Sequence, residues 1–377
     1  MIRRLYIHNF RCLENFELDF RGQSSLLLIG KNGSGKTSIA LALEILQKIA
    51  RGTNRIGDLV KPKDFSGNRA DAPMRFEIEV DLESQAFKYV IALEYPRGFK
   101  EPRVFEERLE FAGEPVFTRE VAKVEIRPNA PNPRNTLSFV GSGTFSIDWH
   151  LAALPIIQLP PYRDSISIFK EWLAQILILQ PVPSLVTGDS QKETLEPTRN
   201  VSNLGEWFTG LLAQAPSAYA EMDKYLKQVM PDLQAITNPS VGKDARSLFV
   251  SFAAEKETIQ IPFEDLSDGE KCFMICALVL AANHAYGPVF CFWDEPDNYL
   301  AISEVGHFVT ALRQAFQQKG QFLMTSHSAE AIQRFSNENT LLLYRESHLD
   351  PTRLRRLDQL QISGDLVRAL VRDDLEP

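Results

Sequence analysis

Alternating hydrophobic and polar positions dominate the first forty residues. RLYIHNF and NFELDF read as strands with one buried face, and SLLLIG follows as an unbroken apolar run, the pattern of a strand buried on both faces in a parallel sheet. The period then lengthens to that of a helix in KTSIALALEILQKIA, which ends near Gly52. Between residues 76 and 125 period two returns in RFEIEVDLE, FKYVIALEY, RVFEERLEF, PVFTRE and AKVEI, and predicts an antiparallel lobe. RPNAPNPRNT at 127–136, with three prolines and three asparagines, is expected to be a loop.

From about 165 to 236 the spacing is mostly helical, in SIFKEWLAQILIL, NLGEWFTGLLAQ and YAEMDKYLKQVM, interrupted by the polar TGDSQKETLEPTRN. After 245 the sheet is expected to resume with RSLFVSFAA and KETIQIPF. A helix opened by LSDGEK comes next, then the strand PVFCFW, a helix over 302–318 closed by Gly320, the strand QFLMTS, the short helix SAEAIQRF and the strand TLLLYRE. This βαβαβ alternation implies parallel strand order. No internal repeat is visible, and prolines interrupt every long heptad run, which excludes a long coiled coil.

A length of 377 residues suits two domains, or one large domain with an insertion. Hydrophobic content of 44% and charged content of 24% are those of a soluble globular protein. No apolar stretch is long enough to span a bilayer, and MIRRLYIHNF lacks the apolar core of a signal peptide, so a cytoplasmic protein without a membrane partner is expected. Cys12, Cys272, Cys276 and Cys291 form no CxxC pair and read as core thiols. The net charge of -8 does not attract nucleic acid to the molecule as a whole. Local basic groups remain at Arg51, Arg55, Lys61 and Lys63 and at Arg353, Arg355 and Arg356, either solvated faces or contacts for DNA; VRDDLEP reads as a solvated acidic tail.

Chemistry enters between the buried strand and the first helix. Gly30-Lys31-Asn32-Gly33-Ser34-Gly35-Lys36-Thr37 fits G-x-x-x-x-G-K-[ST], followed by Ser38. Its glycines let backbone N–H groups curl around phosphates, Lys36 reaches the β- and γ-oxygens, and the Thr37 hydroxyl is a ligand for Mg²⁺. VFCFWDEP then ends a buried strand in two acids. Asp294 is placed to hold Mg²⁺, and Glu295 to orient and deprotonate an attacking water. QFLMTSHS brings His327 to the end of a further buried strand. LSDGEK has two readings: a helix start, with Ser267 or Asp268 as N-cap and Glu270 in the first turn, or a second anion site at the N-terminus of that helix, with Ser267 and Gly269. Two chains packed about a two-fold axis would use both features, each LSDGE helix covering the nucleotide held by its partner.

Phosphate loop, LSDGEK, DEPDNYL and TSHS, in that order and after the opening IRRLYIHNFRCLENFELDF, resemble an ABC-type ATPase head of the SMC/RecF/OLD group, often grouped as AAA family ATPases. The resemblance is close over about 1–60 and 245–345. It implies an α/β P-loop fold with a largely parallel sheet and flanking helices, interrupted by an antiparallel β lobe and a helical lobe. The head's first half would span 1–75, the β lobe 76–150, the helical lobe 151–244 and the head's second half 245–377. Carried over residue by residue, it implies that Gly30, Asn32, Gly33, Ser34, Gly35, Lys36, Thr37 and Ser38 bind ATP and that Thr37 and Asp294 hold Mg²⁺. Glu295 would be the base, His327 the switch residue, and Ser267 and Gly269 ligands in trans. Asp268 departs from the glycine of the LSGGQ form and adds a negative charge, and Arg11 is a further candidate for nucleotide contact. Only 50 residues follow His327, so a Toprim nuclease domain is not expected within this sequence. The implied activity is Mg²⁺-dependent ATP hydrolysis in a homodimer or higher homo-oligomer, switching a nuclease or other effector, or DNA, in antiphage defence. A RecF-like repair ATPase and an ATP-binding scaffold are the alternatives. The long separation of Lys36 from Ser267 disfavours a transporter subunit, and the lack of NKxD disfavours a GTPase.

Overall fold

The computed structural model describes residues 1–20, 22–69, 71–127, 143–157, 164–254 and 257–359; residues 128–136 of the expected loop and the acidic tail lie outside them. In chain order the strands are β1 (Ile2–His8), β2 (Phe16–Asp19), β3 (Ser25–Ile29), β4 (Met74–Leu82), β5 (Gln85–Glu94), β6 (Arg103–Phe111), β7 (Glu114–Glu120), β8 (Lys123–Ile126) and β9 (Gly143–Ser146). They continue with β10 (Leu177–Leu179), β11 (Leu233–Thr237), β12 (Phe249–Ala254), β13 (Glu257–Pro262), β14 (Phe290–Trp293), β15 (Gln321–Thr325), β16 (Thr340–Tyr344) and β17 (Arg353–Arg356). The α-helices are α1 (Lys36–Ala50), α2 (Ile56–Leu59), α3 (Ser165–Gln175), α4 (Leu204–Gln214), α5 (Ala218–Val229), α6 (Asp268–Tyr286), α7 (Ile302–Gln318) and α8 (Ala329–Gln333). The chain divides into two units. The first holds Met1–Gly22, Gly30–Ile176 and Leu342–Arg355; the second holds Gln23–Ile29, Leu177–Leu341 and the chain from Arg356.

An eight-stranded antiparallel sheet, in the order β2-β1-β4-β5-β6-β7-β8-β9, dominates the first unit. The N-terminal strands therefore share one sheet with the period-two stretch. Two-residue connections set its register: Glu83 and Ser84 between β4 and β5, and Ala112 and Gly113 between β6 and β7, all have positive φ. That conformation gives the hairpin turn whose twist matches the flanking strands, so Leu82 pairs with Gln85 and Phe111 with Glu114.

Inside this unit lies a charge on a strand. Glu107 and Arg119 are 0% and 1% exposed. The Glu107 carboxylate accepts from the Tyr89 hydroxyl at 2.8 Å, from Ala153 N at 2.7 Å and from Leu154 N at 2.9 Å, and faces Arg119 Nη1 at 3.5 Å. Arg119 spends its other donors on the carbonyls of Val121, Asp148 and Leu151. Burial, with Glu107 beside it, holds the Tyr89 hydroxyl well above its ordinary pKa, so it remains a donor.

The second unit is built on parallel strands in the order β10-β14-β15-β3. Leu177–Leu179 pair with Cys291–Trp293, Phe290–Trp293 with Gln321–Met324, and Phe322–Thr325 with Ser25–Leu28. All four are buried throughout and apolar except at their ends, where Ser25, Gln321 and Thr325 stand. The run QILIL, expected to continue a helix, splits: α3 ends at Gln175 and Leu177–Leu179 becomes β10. A short apolar run fits a buried strand and a buried helix equally well, and here pairing with β14 decides. β12 and β13 do not join the parallel sheet; with β11 they form a separate antiparallel sheet. Only two residues separate β12 from β13, too few for the crossover that parallel neighbours require.

α6 is buried nearly all round from Lys271 to Asn283 and packs on α5 and α7. Burial pushes its thiols up, Cys272 to about 12, and raises Cys291 of β14 as well, so all three stay neutral and apolar in character. Among the described residues no helix is long and apolar enough to cross a membrane.

Glu107→Ala leaves the buried Arg119 charge without its counterion and the Tyr89 hydroxyl and two backbone N–H groups without their acceptor. It is expected to cost about 3–5 kcal/mol of stability, read by denaturant unfolding followed at the Tyr89-containing unit.

Candidate functional site

The phosphate loop belongs to the first unit and follows Ile29, the last residue of β3. Gly30, Gly33 and Gly35 all have positive φ, which tightens the turn in the way a glycine-rich loop requires. Space also selects glycine: a Cβ on Gly30 would lie 2.2 Å from the Leu343 carbonyl oxygen, and one on Gly35 would lie 2.6 Å from Thr352 Oγ1. Lys36 is 7% exposed, and its ammonium folds back to donate to the Gly30 carbonyl at 2.7 Å and the Lys31 carbonyl at 3.3 Å. Thr37 stands exposed on the first turn of α1, Ser38 is buried beside Cys12 Sγ at 3.5 Å, and Asn32 and Gly33 are exposed at the tip. Ser34 Oγ is buried with no hydrogen-bond partner among the described residues. Arg11 bonds Asp64 Oδ1 at 3.2 Å.

The acids belong to the second unit. Asp294 follows β14 directly, is 4% exposed, and donates its backbone N–H to the Leu179 carbonyl at the end of β10. Its Oδ1 accepts from the Thr325 hydroxyl at 2.6 Å, and Thr325 Oγ1 in turn accepts from Glu295 N at 2.9 Å. One hydroxyl on β15 thus fixes both acids at the end of β14. Glu295 has φ 49°, a left-handed conformation uncommon for a residue with a side chain, and such strain gathers where function demands it. Its carboxylate accepts from Asn298 Nδ2 at 2.7 Å and meets His327 Nε2 at 3.3 Å. Ser326 Oγ donates to Asp297 Oδ2 at 2.6 Å and accepts from Ser328 N at 2.9 Å, bracketing His327. Asp294, Glu295 and His327 are thus brought together within one unit. Thr325, Asp297 and Asn298, which pattern reading did not single out, complete the group; their signal lay in the same two quoted motifs.

Ser267 caps α6 in a complete capping box. Its hydroxyl donates to Glu270 Oε2 at 2.6 Å and accepts from Glu270 N at 3.3 Å, while its backbone N–H reaches the same carboxylate at 2.7 Å. A Cβ on Gly269 would meet the Tyr299 carbonyl oxygen at 3.3 Å. The basic groups are largely engaged within their own units. Arg51 donates to the Ala174 carbonyl, Arg55 pairs with Glu101, Lys61 donates to the Gly57 carbonyl, Arg353 faces Glu346 and Arg356 donates to the Glu338 carbonyl.

Residues 25–332 match the profile of the family described as "AAA domain, putative AbiEii toxin, Type IV TA system". The chain belongs to this AAA family. No curated protein matches it. Among solved structures it is similar to an Smc head bound to the C-winged helix domain of ScpA, at 14% identity and TM-score 0.53, covering 95% of this chain and 98% of that one. It is also similar to an Smc head with an extended coiled coil bound to the C-terminal domain of ScpA derived from Pyrococcus furiosus, at 13% identity and TM-score 0.51, covering 100% of both chains. The AAA chain therefore has the α/β fold of a P-loop, ABC-type ATPase head.

The family implies nucleotide binding, and the residues of this AAA protein fit it. A loop closed to a Cβ at Gly30 and Gly35, an orphaned buried hydroxyl on Ser34 and an inward-folded lysine make a cradle for an anion. The Thr37 hydroxyl and the Asp294 carboxylate are oxygen donors of the kind Mg²⁺ takes. No group of three or more His, Cys, Asp or Glu among the described residues could hold a metal ion.

Asp297 is the costly member of the acidic group. Burial pushes its carboxyl above the ordinary aspartate range, with the Ser326 hydrogen bond opposing. Below pH of about 4 the group is neutral in both folded and unfolded chains; as pH rises toward its raised native value the unfolded chain ionises first. Its contribution to stability is therefore lost as pH rises through that window. Asp297→Asn is expected to raise the thermal midpoint at pH 7 relative to the parent and to leave it unchanged near pH 4, measured by calorimetry at both values.

Proposed function

We propose that the protein is a Mg²⁺-dependent ATP hydrolase whose two copies close around two ATP molecules and act as a nucleotide-driven switch. The observation that carries this reading is the common end of three parallel strands. β14 and β15 finish beside β3, so Asp294, Glu295 and His327 gather at the sheet edge from which the chain runs on into Gly30. Ligand sites of open α/β sheets lie at that edge.

In this reading the Gly30–Ser38 segment binds the triphosphate, and Lys36 offsets charge that develops on its oxygens. The Glu295 carboxylate takes the proton of a water whose oxygen attacks the γ-phosphorus, as the bond from phosphorus to the β–γ bridging oxygen breaks. ADP leaves with the electron pair. Asn298 and His327 hold the Glu295 carboxylate from either side. Thr37 and Asp294 are the ligands we assign to Mg²⁺, which when bound neutralises phosphate oxygens. Ser267 and Gly269 would reach the γ-phosphate of the partner copy, so that closure depends on its presence and hydrolysis releases it.

The output is assigned to an effector such as a nuclease, or to DNA, in prokaryotic antiphage defence, in a cytoplasmic setting. The family description, which names a toxin of a toxin–antitoxin system, supports defence over repair. The engaged state of the basic residues favours a protein partner over extended DNA contact.

Glu295→Gln is expected to lower steady-state ATPase by about 10²–10⁴ while retaining ATP binding. With Mg-ATP this variant should move from monomer to dimer mass in light scattering, and Ser267→Arg added to it should abolish the shift. A mass indifferent to ATP would overturn the switch and leave the ATP-binding scaffold as the better reading.

A further inference from the structure

The phosphate loop is not held by its own sequence alone. Three hundred residues later the chain returns to it, within the same unit, through the segment 342–355. Thr352 is 3% exposed, and its hydroxyl donates to the Ser34 carbonyl at 2.8 Å. Its backbone N–H donates to the Cys12 carbonyl at 2.8 Å, which fixes where that hydroxyl stands. Arg345 Nη1 donates to the Gly33 carbonyl at 3.2 Å, while Arg345 also donates to the carbonyls of His348 and Asp350 at 2.5 Å and 2.8 Å and so folds its own turn into shape.

These bonds have a directional consequence. In a trans peptide the C=O of one residue and the N–H of the next point in opposite directions. Tying back the Ser34 carbonyl therefore turns the Gly35 N–H away from Thr352. Tying back the Gly33 carbonyl does the same to the Ser34 N–H, which closes the loop onto the Lys31 carbonyl at 3.1 Å. A loop meant to receive an anion must keep its carbonyls off the binding side, because a single flipped peptide presents an oxygen where an N–H is needed. Glycine makes such a flip cheap at Gly33 and Gly35, so the restraint has to come from outside the loop.

We propose that Thr352, assisted by Arg345, is a positioning residue for nucleotide binding: its hydroxyl locks the Ser34–Gly35 peptide in the orientation that offers an N–H to phosphate. The proposal rests on the nucleotide reading of the Gly30–Thr37 loop. It also accounts for Gly35, since the hydroxyl occupies the space that a Cβ would need.

The test compares Thr352→Val, which keeps the shape and removes the donor, with Thr352→Ser, which keeps the donor and removes the methyl. Dissociation constants for ATP and for ADP are measured by calorimetry, with thermal midpoints and steady-state kinetics on the same preparations. Thr352→Val should weaken both nucleotides about tenfold, equivalent to 1.4 kcal/mol, raise KM in step and leave kcat within about twofold. Thr352→Ser should restore affinity, which a role in packing alone would not produce. Equal affinity of Thr352→Val and the parent overturns the proposal, as does loss of affinity that Thr352→Ser fails to restore. A parent protein that binds neither nucleotide overturns instead the reading on which the proposal rests.

Discussion

Parallel pairing of β14, β15 and β3 is the constraint from which the second unit's chemistry follows. Parallel neighbours need long connections, such as α7 between β14 and β15, and all three strands are buried along their length. Polar groups are admitted only at the strand ends, Ser25 and Gln321 at one and Thr325 at the other. Asp294 and Glu295 leave one strand end and Thr325, Ser326 and His327 leave or follow the next, close enough to bond across. Main-chain pairing thus places the strand ends, and side-chain contacts from Thr325, Asn298 and His327 orient the acids there.

The two units satisfy buried charge in different ways. Glu107 has three donors and a cation around it, and its site is finished within the fold. Asp297 has Ser326 on one oxygen and no partner among the described residues on the other. A carboxyl in that condition costs stability where a neutral side chain would not. Glu295, held at positive φ, adds backbone strain two residues from it in the sequence. Both expenses fall on the short segment between β14 and α7, while the surrounding core is regular. Proteins place such violations of local preference where function needs them.

Much of this was legible in the sequence because it is local. The Gly30–Thr37 loop announces itself by spacing, and the start of α6 by Ser267, Asp268 and Glu270, residue types that suit a cap and a first turn. VFCFWDEP and QFLMTSHS show a buried strand ending in polar residues. What escaped is set by pairing across long separations. Leu177–Leu179 is indistinguishable from a helix continuation until β14 lies beside it. β12 and β13 read as members of the main sheet, yet their two-residue separation commits them to each other. Thr325 and Thr352 are ordinary threonines by pattern; their hydroxyls matter because of Asp294 and Ser34, 31 and 318 residues away. The lobe strands were clear from period two, but that β1 and β2 extend the same sheet was not, since period two says nothing about partners.

The cap on α6 has a consequence for whatever approaches that helix. The N–H of Ser267 and the Ser267 hydroxyl already bind an anion, the carboxylate of Glu270. Glu270 is thus an internal tenant of the place an external phosphate would seek. An incoming anion must either displace it, breaking two short bonds and leaving a like charge at the threshold, or bind beside it through donors the carboxylate does not use. Discrimination follows from competition: weak anions lose to a ligand permanently tethered at high effective concentration, and only one delivered on a second surface, with other contacts to hold it, can win the exchange.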